Sequence, residues 1–207
     1  MERGLRLENV RLSLAGRELL SVDASVSPGA VLTIMGPSGS GKSTLLAFAA
    51  GFLEPAFTAE GRIILDGTDV TGLPPERRQI GLLFQDPMLF PHLSVAGNLL
   101  FGVPPGVPDR RARAAVALEQ AGLEGFGTRD PATLSGGQKA RVALMRLLLS
   151  EPSAVLLDEP FSKLDATLKG EVRAYVFDRL RERKLPGLLV THDEADAAAA
   201  GGPIIRI

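Results

Sequence analysis

Val31-Leu32-Thr33-Ile34-Met35-Gly36-Pro37-Ser38-Gly39-Ser40-Gly41-Lys42-Ser43-Thr44-Leu45-Leu46 is the stretch whose reading decides the fold. Its first five residues form a near-continuous apolar run, as expected of a strand buried on both faces. Ser43–Gly51 is helix-like (Leu45, Leu46, Ala49) and stops at Gly51. Between the two, Gly36–Ser43 matches G-x-x-x-x-G-K-[ST], a phosphate-binding loop. Its glycines let the backbone bend tightly enough to aim several N–H groups inward at a polyphosphate. Lys42 supplies a point charge to the β- and γ-phosphates, and the Ser43 hydroxyl can ligate Mg2+. The loop also opens a helix, whose positive end favours the anion. The plain alternative is a Gly/Ser-rich turn that happens to contain a lysine. The strand before it and the helix after it argue against that.

Outward from this loop, apolar strands keep alternating with helical patterns. Leu5-Arg6-Leu7 and Val10-Arg11-Leu12 carry short alternation, and Ser27-Pro28-Gly29-Ala30 reads as a turn. Arg62-Ile63-Ile64-Leu65 leads into the turn Asp66-Gly67, and Ile80–Phe84 is another apolar strand. Helical patterns follow from Ser94 to Gly122, broken by Pro104–Pro108, and again from Ser135 to about Leu149. Ala154-Val155-Leu156-Leu157 is an apolar strand. Leu168, Val172, Val176 and Leu180 recur every four residues, so an amphipathic helix is expected over 165–183. Leu188-Leu189-Val190, an Ala-rich helix and a strand at Ile204–Ile207 complete the chain. This order predicts an α/β fold with a mostly parallel core sheet and an inserted, mainly helical subdomain at about 86–150.

The strand Ala154–Leu157 ends in Asp158-Glu159. A carboxylate there stands at the sheet's carboxyl edge, where ligands of open α/β sheets bind. Asp158 can hold Mg2+, often through water, and Glu159 can polarise a water for in-line attack on a γ-phosphate. A solvated acidic turn is the bland reading, and the loop at Gly36–Ser43 argues against it.

Composition narrows the field. The 207 residues carry 23 basic and 24 acidic side chains, for a net charge of −1. Phosphate neutralisation by a nucleic-acid binder usually needs a basic balance or run. Beyond Arg110, Arg111 and Arg113 there is none, so no nucleic-acid partner is expected. The absence of cysteine rules out disulfides, thiolate-bound zinc and thiol catalysis, and it suits a reducing cytosol. Met1-Glu2-Arg3-Gly4 lacks the apolar segment of a signal peptide. No run of 18 apolar residues occurs, so a membrane role is expected to go through a partner.

Leu134-Ser135-Gly136-Gly137-Gln138 resembles the signature motif of ATP-binding-cassette ATPases and lies upstream of the Asp158-Glu159 strand, as in that family. The plain reading of Ser135 is a helix N-cap followed by a glycine turn. Phe84-Gln85-Asp86 resembles the Q-loop, Ser162-Lys163-Leu164-Asp165 the D-loop and Thr191-His192-Asp193 the switch region. The resemblance covers roughly residues 5 to 205 and looks closest to short importer ATPases, including the ynjD-like and thiamine-importer groups.

What it implies is an ATPase with a P-loop NTPase fold, an N-terminal antiparallel β subdomain and a helical signature subdomain. The core would span about 1–85 and 151–207 of a single domain. ATP would be held by Gly36, Pro37, Ser38, Gly39, Ser40, Gly41, Lys42, Ser43 and Thr44. Mg2+ would be held by Ser43, Gln85 and Asp158, with Glu159, His192, Gln85 and Lys42 catalytic. Ser135, Gly136, Gly137 and Gln138 would meet the ATP of a second cassette, and Asp165 would cross the interface between the two. The implied partners are a second copy or another cassette, an integral membrane permease and an extracytoplasmic substrate-binding protein. The implied place is peripheral, on the cytoplasmic side of the inner membrane. Importer-type cassettes also have a segment like Met88–Asn98 lining the groove that receives the permease. Leu89 and Phe90 suit that contact, and equally the core of the helical subdomain. A soluble cassette ATPase acting on DNA or ribosomes is the rival, without its usual coiled-coil insertions or tandem cassettes here.

Three departures stand out. Residues 1–47 hold no Phe, Tyr or Trp, and Leu14 stands where the family usually stacks a ring on adenine. A weaker adenine preference is therefore expected. Lys163 occupies a D-loop position usually small or neutral. The sequence ends at Ile207, so an appended regulatory domain is not expected.

Overall fold

The structure, a computed structural model, describes residues 3–207 apart from the side chain of Thr167. It divides into two compact units. The first takes residues up to 82, 153–159 and 177–207; the second takes 83–152 and 160–176.

The first unit holds two sheets. In one, β1 (Leu5–Leu14) lies between β2 (Arg17–Val26) and β4 (Phe57–Leu65), antiparallel to both, with the short β5 (Thr68–Asp69) beyond β4. In the other, β3 (Val31–Met35) runs parallel to its neighbours β8 (Gly187–Thr191) and β9 (Ile204–Arg206), and β7 (Ala154–Asp158) runs parallel to β8. β6 (Ile80–Leu83) flanks β7. All five residues of β3 and of β8 are buried, which is why both read as unbroken apolar runs. One core joins the antiparallel sheet, α1 (Lys42–Ala50) and the parallel strands through Leu7, Leu12, Ile34, Leu45, Leu156 and Val190.

The two short alternating stretches expected at the start are one ten-residue strand. Its buried set changes phase from Leu5 and Leu7 to Val10 and Leu12. The cause is a bulge at Asn9, whose φ is 49°, with the register slipping there against both neighbours. An inserted residue flips every later side chain to the other face. On β4 the bulge is met by Gly61, with φ 92°, where an added Cβ would come within 2.4 Å of the Asn9 carbonyl oxygen. β4 starts at Phe57, five residues before the Arg62–Leu65 run read from the sequence.

Arg78 fixes the far end of α1. It is 5% exposed, and its guanidinium donates to the carbonyls of Phe48 and Ala49 at 2.8 and 2.9 Å and to that of Leu73 at 2.8 Å. A cation at a helix C-terminus satisfies the last carbonyls and the dipole together.

In the second unit, α2 (Val95–Gly102) and α3 (Arg110–Gln120) pack against α4 (Gly136–Leu149). α5 (Ala166–Glu182) begins in this unit and ends in the first, and α6 (Glu194–Ala200) belongs wholly to the first. No helix among the described residues is long and apolar enough to cross a membrane.

Candidate nucleotide site and its relatives

The carboxyl ends of β3, β7 and β8 converge on the loop Gly36–Ser43. The loop turns through Gly39 (φ 82°) and Gly41 (φ 88°), a left-handed region closed to most side chains. Gly41 is the N-cap of α1 and offers no side-chain cap, so the first N–H groups of the helix face the loop without an internal acceptor from that position. A Cβ at Gly39 would meet nothing within 4 Å, whereas one at Gly36 would come within 2.8 Å of Ile207. The result is a backbone cradle open on the Gly39 side and closed behind Gly36. Lys42 is 6% exposed and donates to the carbonyls of Gly36 and Pro37 at 2.8 and 2.7 Å. Its ammonium is thereby held over the mouth of its own loop.

Ser38, Gly39, Gly41, Lys42, Ser43 and Thr44 line a cavity of about 340 Å3, with Glu159. Leu14, Leu19 and Phe57 line the rest. The Ser43 hydroxyl donates to Asp158 Oδ1 at 3.0 Å. Burial pushes the Asp158 carboxyl above its ordinary range; the Ser43 hydrogen bond opposes this, the charge of Glu159 adds to it, and that of Lys42 opposes it.

Glu159 follows directly, with φ 43° and its N–H bonded to the Val190 carbonyl at 2.9 Å. A glutamate held in the left-handed region costs on the order of 1 kcal/mol, and such strain gathers at functional sites. Its Oε1 lies 3.1 Å from Nδ1 of His192, which stands just beyond β8. The turn carrying His192 is pinned on both sides. The buried Thr191 hydroxyl donates to Asp196 at 2.9 Å and accepts from the Asp193 N–H at 3.0 Å, while Asp193 caps α6. His192 also borders a smaller cavity, about 260 Å3, with Met35 and Gly36.

This is a crevice at the carboxyl edge of an open sheet, assembled from separate strand ends, where such sheets bind ligands. The family model for the ABC transporter matches residues 19–162. Over 198 residues the chain is 48% identical to the uncharacterized ABC transporter ATP-binding protein YnjD of Escherichia coli, covering 94% of this chain and 91% of that one. The chain belongs to the ABC transporter ATP-binding family.

It is a cassette ATPase. The thiamine import ATP-binding protein ThiQ of Cereibacter sphaeroides is 48% identical over 181 residues, or 86% of this chain and 77% of that one. Among solved structures, cbiO1 from Clostridium perfringens, part of the ABC transporter complex cbiONQ, matches with a TM-score of 0.80 at 31% identity. That match spans 93% of this cassette and 80% of the other chain.

The remaining motif residues of the cassette lie in the second unit. Gln85 is exposed just past β6. Ser135 is the N-cap of α4 and forms a capping box: its hydroxyl accepts from Gln138 N–H at 3.3 Å, and Gln138 Oε1 accepts from Ser135 N–H at 2.9 Å. Gly136 is exposed and Gly137 buried. Asp165 Oδ1 accepts from Leu168 N–H at 3.0 Å, at the start of α5.

Lys163, unexplained in the sequence, has a partner. Its Nζ is 3.1 Å from Asp86 Oδ2, and this bond, with a second from the Met88 N–H, holds the Asp86 carboxyl below the ordinary range. The pair ties the residue beside Gln85 to the D-loop.

In the segment after the Q-loop, Leu89 and Phe90 are half-buried while Met88 is exposed, as is Phe84 just before Gln85. Buried Asn98 braces the turn, accepting from the Phe90 N–H at 2.8 Å and donating to the Phe90 carbonyl at 3.1 Å. Phe90 packs on Phe101, ring centroids 4.6 Å apart, and Arg146 lies over its ring.

Two contributors escaped the sequence reading. Arg78 gave no local signal of its helix-end contacts, since the Phe48 and Ala49 carbonyls are 30 and 29 residues away. Phe57 did have one: Phe57-Thr58-Ala59-Glu60 alternates apolar and polar, but Gly61 interrupts the pattern.

Proposed function

We propose that this cassette is the ATP-hydrolysing subunit of an importer. Two cassettes pair on the cytoplasmic face of the inner membrane and drive an integral permease supplied by an extracytoplasmic substrate-binding protein. Residues of about 1–85 and 151–207 act as the nucleotide core, and about 86–150 as the helical subdomain that presents Ser135–Gln138 to the partner's ATP. The importer assignment is supported by the thiamine import relative and by the exposed Met88 after the Q-loop position.

The observation that carries this reading is the crevice lined by Lys42, Ser43 and Glu159, with Asp158 hydrogen-bonded to Ser43 and His192 beside Glu159. Mg2+ suits it: Ser43 and Asp158 offer two hard oxygens 3.0 Å apart, and this ion is commonly held by one or two carboxylates together with substrate phosphates. Gln85 is assigned to the same ion. Bound there, Mg2+ would neutralise charge on the β- and γ-phosphates.

The residues divide the work. The loop N–H groups and Lys42 hold and orient the triphosphate. Glu159 accepts a proton from the attacking water as its oxygen bonds to the γ-phosphorus. The bond from that phosphorus to the bridging oxygen breaks, and ADP leaves with the electron pair. His192 positions Glu159 and faces the γ-phosphate, and Asp165 lies at the seam between cassettes. Closure around two ATP molecules and release after hydrolysis switch the permease's access state.

Glu159→Gln tests the assignment by phosphate release and equilibrium ATP binding. Turnover should fall by about 10^2- to 10^4-fold, as for loss of a general base, with ATP affinity kept. Retained hydrolysis removes Glu159 as the base.

A further inference from the structure

The cassette lacks the early ring on which its family stacks adenine, yet its crevice is not without one. β1 and β4 pair antiparallel, and Leu14 stands directly opposite Phe57. Directly opposed residues of an antiparallel pair project to the same face. Both side chains line the cavity that contains the phosphate loop, and Phe57 is its single aromatic lining residue.

We infer that Phe57 is the base-stacking residue of this cassette, supplied from β4 in place of the missing ring on β1. The inference rests on the nucleotide-binding reading of the loop and deepens it.

Three features support it. Phe57 is half-buried, and the half-buried apolar side chains packed on the core include its neighbours Leu53 and Ala59 but not Phe57 itself. Its ring is thus available to the cavity rather than committed to the interior. The Asn9–Gly61 crossing fixes the register that sets Phe57 against Leu14, so the placement is built into the sheet. Finally, Leu14, Leu19 and Phe57 are the apolar side chains of a cavity whose polar side chains are those of the loop, Thr44 and Glu159.

That division of the lining sets specificity as well as affinity. Stacking on a ring is tolerant of base identity, because every base has a π face. The three apolar side chains carry no donor or acceptor to read the purine 6-position, so ATP and GTP are held alike. The missing ring on β1 therefore costs this cassette little affinity for the base, while selectivity between purines is slight.

The test uses the full chain and three probes: ATP, GTP and inorganic tripolyphosphate, measured by calorimetry. Wild type should bind ATP and GTP within about fivefold of each other, and both more tightly than tripolyphosphate. Phe57→Ala should weaken ATP by about tenfold or more and leave tripolyphosphate unchanged. Phe57→Tyr should restore the affinity, and Phe57→Leu, which keeps apolar volume, should not.

A second readout needs no truncation. The chain has no tryptophan, so Phe57→Trp installs a sole indole at this position. Its emission should shift or quench on saturation with ATP or GTP and stay unchanged with tripolyphosphate. ATP affinity unaltered in Phe57→Ala, or an indole indifferent to bound ATP, overturns the inference. ATP and GTP differing by more than about thirtyfold overturns its specificity half. Failure of the underlying reading looks different: neither ATP nor tripolyphosphate would bind wild type.

Discussion

Two helix N-termini face phosphate in the proposed cycle, and they are finished in opposite ways. α1 opens on Gly41 in a left-handed conformation with no side-chain cap, and beside it sits Asp158, a carboxyl that burial makes costly to ionise. α4 opens on Ser135 with both halves of a capping box in place. An uncapped helix start leaves donors for a ligand, while a capped one satisfies them internally. The first end is built to be completed by a nucleotide. The second folds as a finished helix, and only its glycine N–H groups and the Ser135 hydroxyl are left to meet a phosphate brought by another chain. In the proposed cycle one end receives and the other closes.

Substitutions at the two ends should therefore act through different quantities. The largest effect is expected from Lys42→Ala. Removing a charged donor should weaken ATP by about 10- to 100-fold in equilibrium binding, with a smaller change in melting temperature. Unchanged binding would mean that the α1 end does not receive the triphosphate.

Ser135→Ala should behave in reverse. Loss of an N-cap costs about 1 kcal/mol, or about 2–4 °C in melting temperature for a chain of this size, with ATP affinity of the single cassette unaltered. Weakened ATP binding by the lone chain would erase the distinction between the ends.

Asp158→Asn sharpens it with the opposite sign. The folded-state pKa of Asp158 is raised, so its ionised form is disfavoured by folding. That penalty is absent below the unfolded value near 3.8 and grows as pH rises from there through the folded value. The variant should melt above wild type at pH 7, with the gap closing as pH is lowered toward 4. A variant less stable than wild type at pH 7 would show that the carboxylate is stabilising.

Legibility in the sequence followed distance along the chain. The strand, loop and helix over Val31–Gly51 are contiguous, so periodicity and a single motif revealed them, and Asp158-Glu159 was visible because its strand is apolar throughout. Ser135–Gln138 was picked out by its resemblance to the family's signature motif, with an N-cap at Ser135 as the plain reading; the N-cap is present, as half of a capping box. What could not be read depends on partners far apart. Phe57 is set beside Leu14 only by the register of β1 with β4, and that register turns on a bulge at Asn9 met by Gly61. A glycine within a strand pattern looks like an interruption unless the opposing bulge is known. Lys163 had no explanation for the same reason: Asp86 lies 77 positions away. The expected weaker adenine preference followed from reading β1 alone, whereas the stacking role inferred for Phe57 depends on the strand paired with it.

Sedimentation of the Glu159→Gln cassette with and without Mg-ATP bears most directly on the division between the two ends. With hydrolysis blocked, the α1 end should hold ATP and the α4 end of a second copy should close on it, so the chain should sediment as a dimer with ATP and as a monomer without it. A chain that is saturated with ATP and still sediments as a monomer would contradict the account.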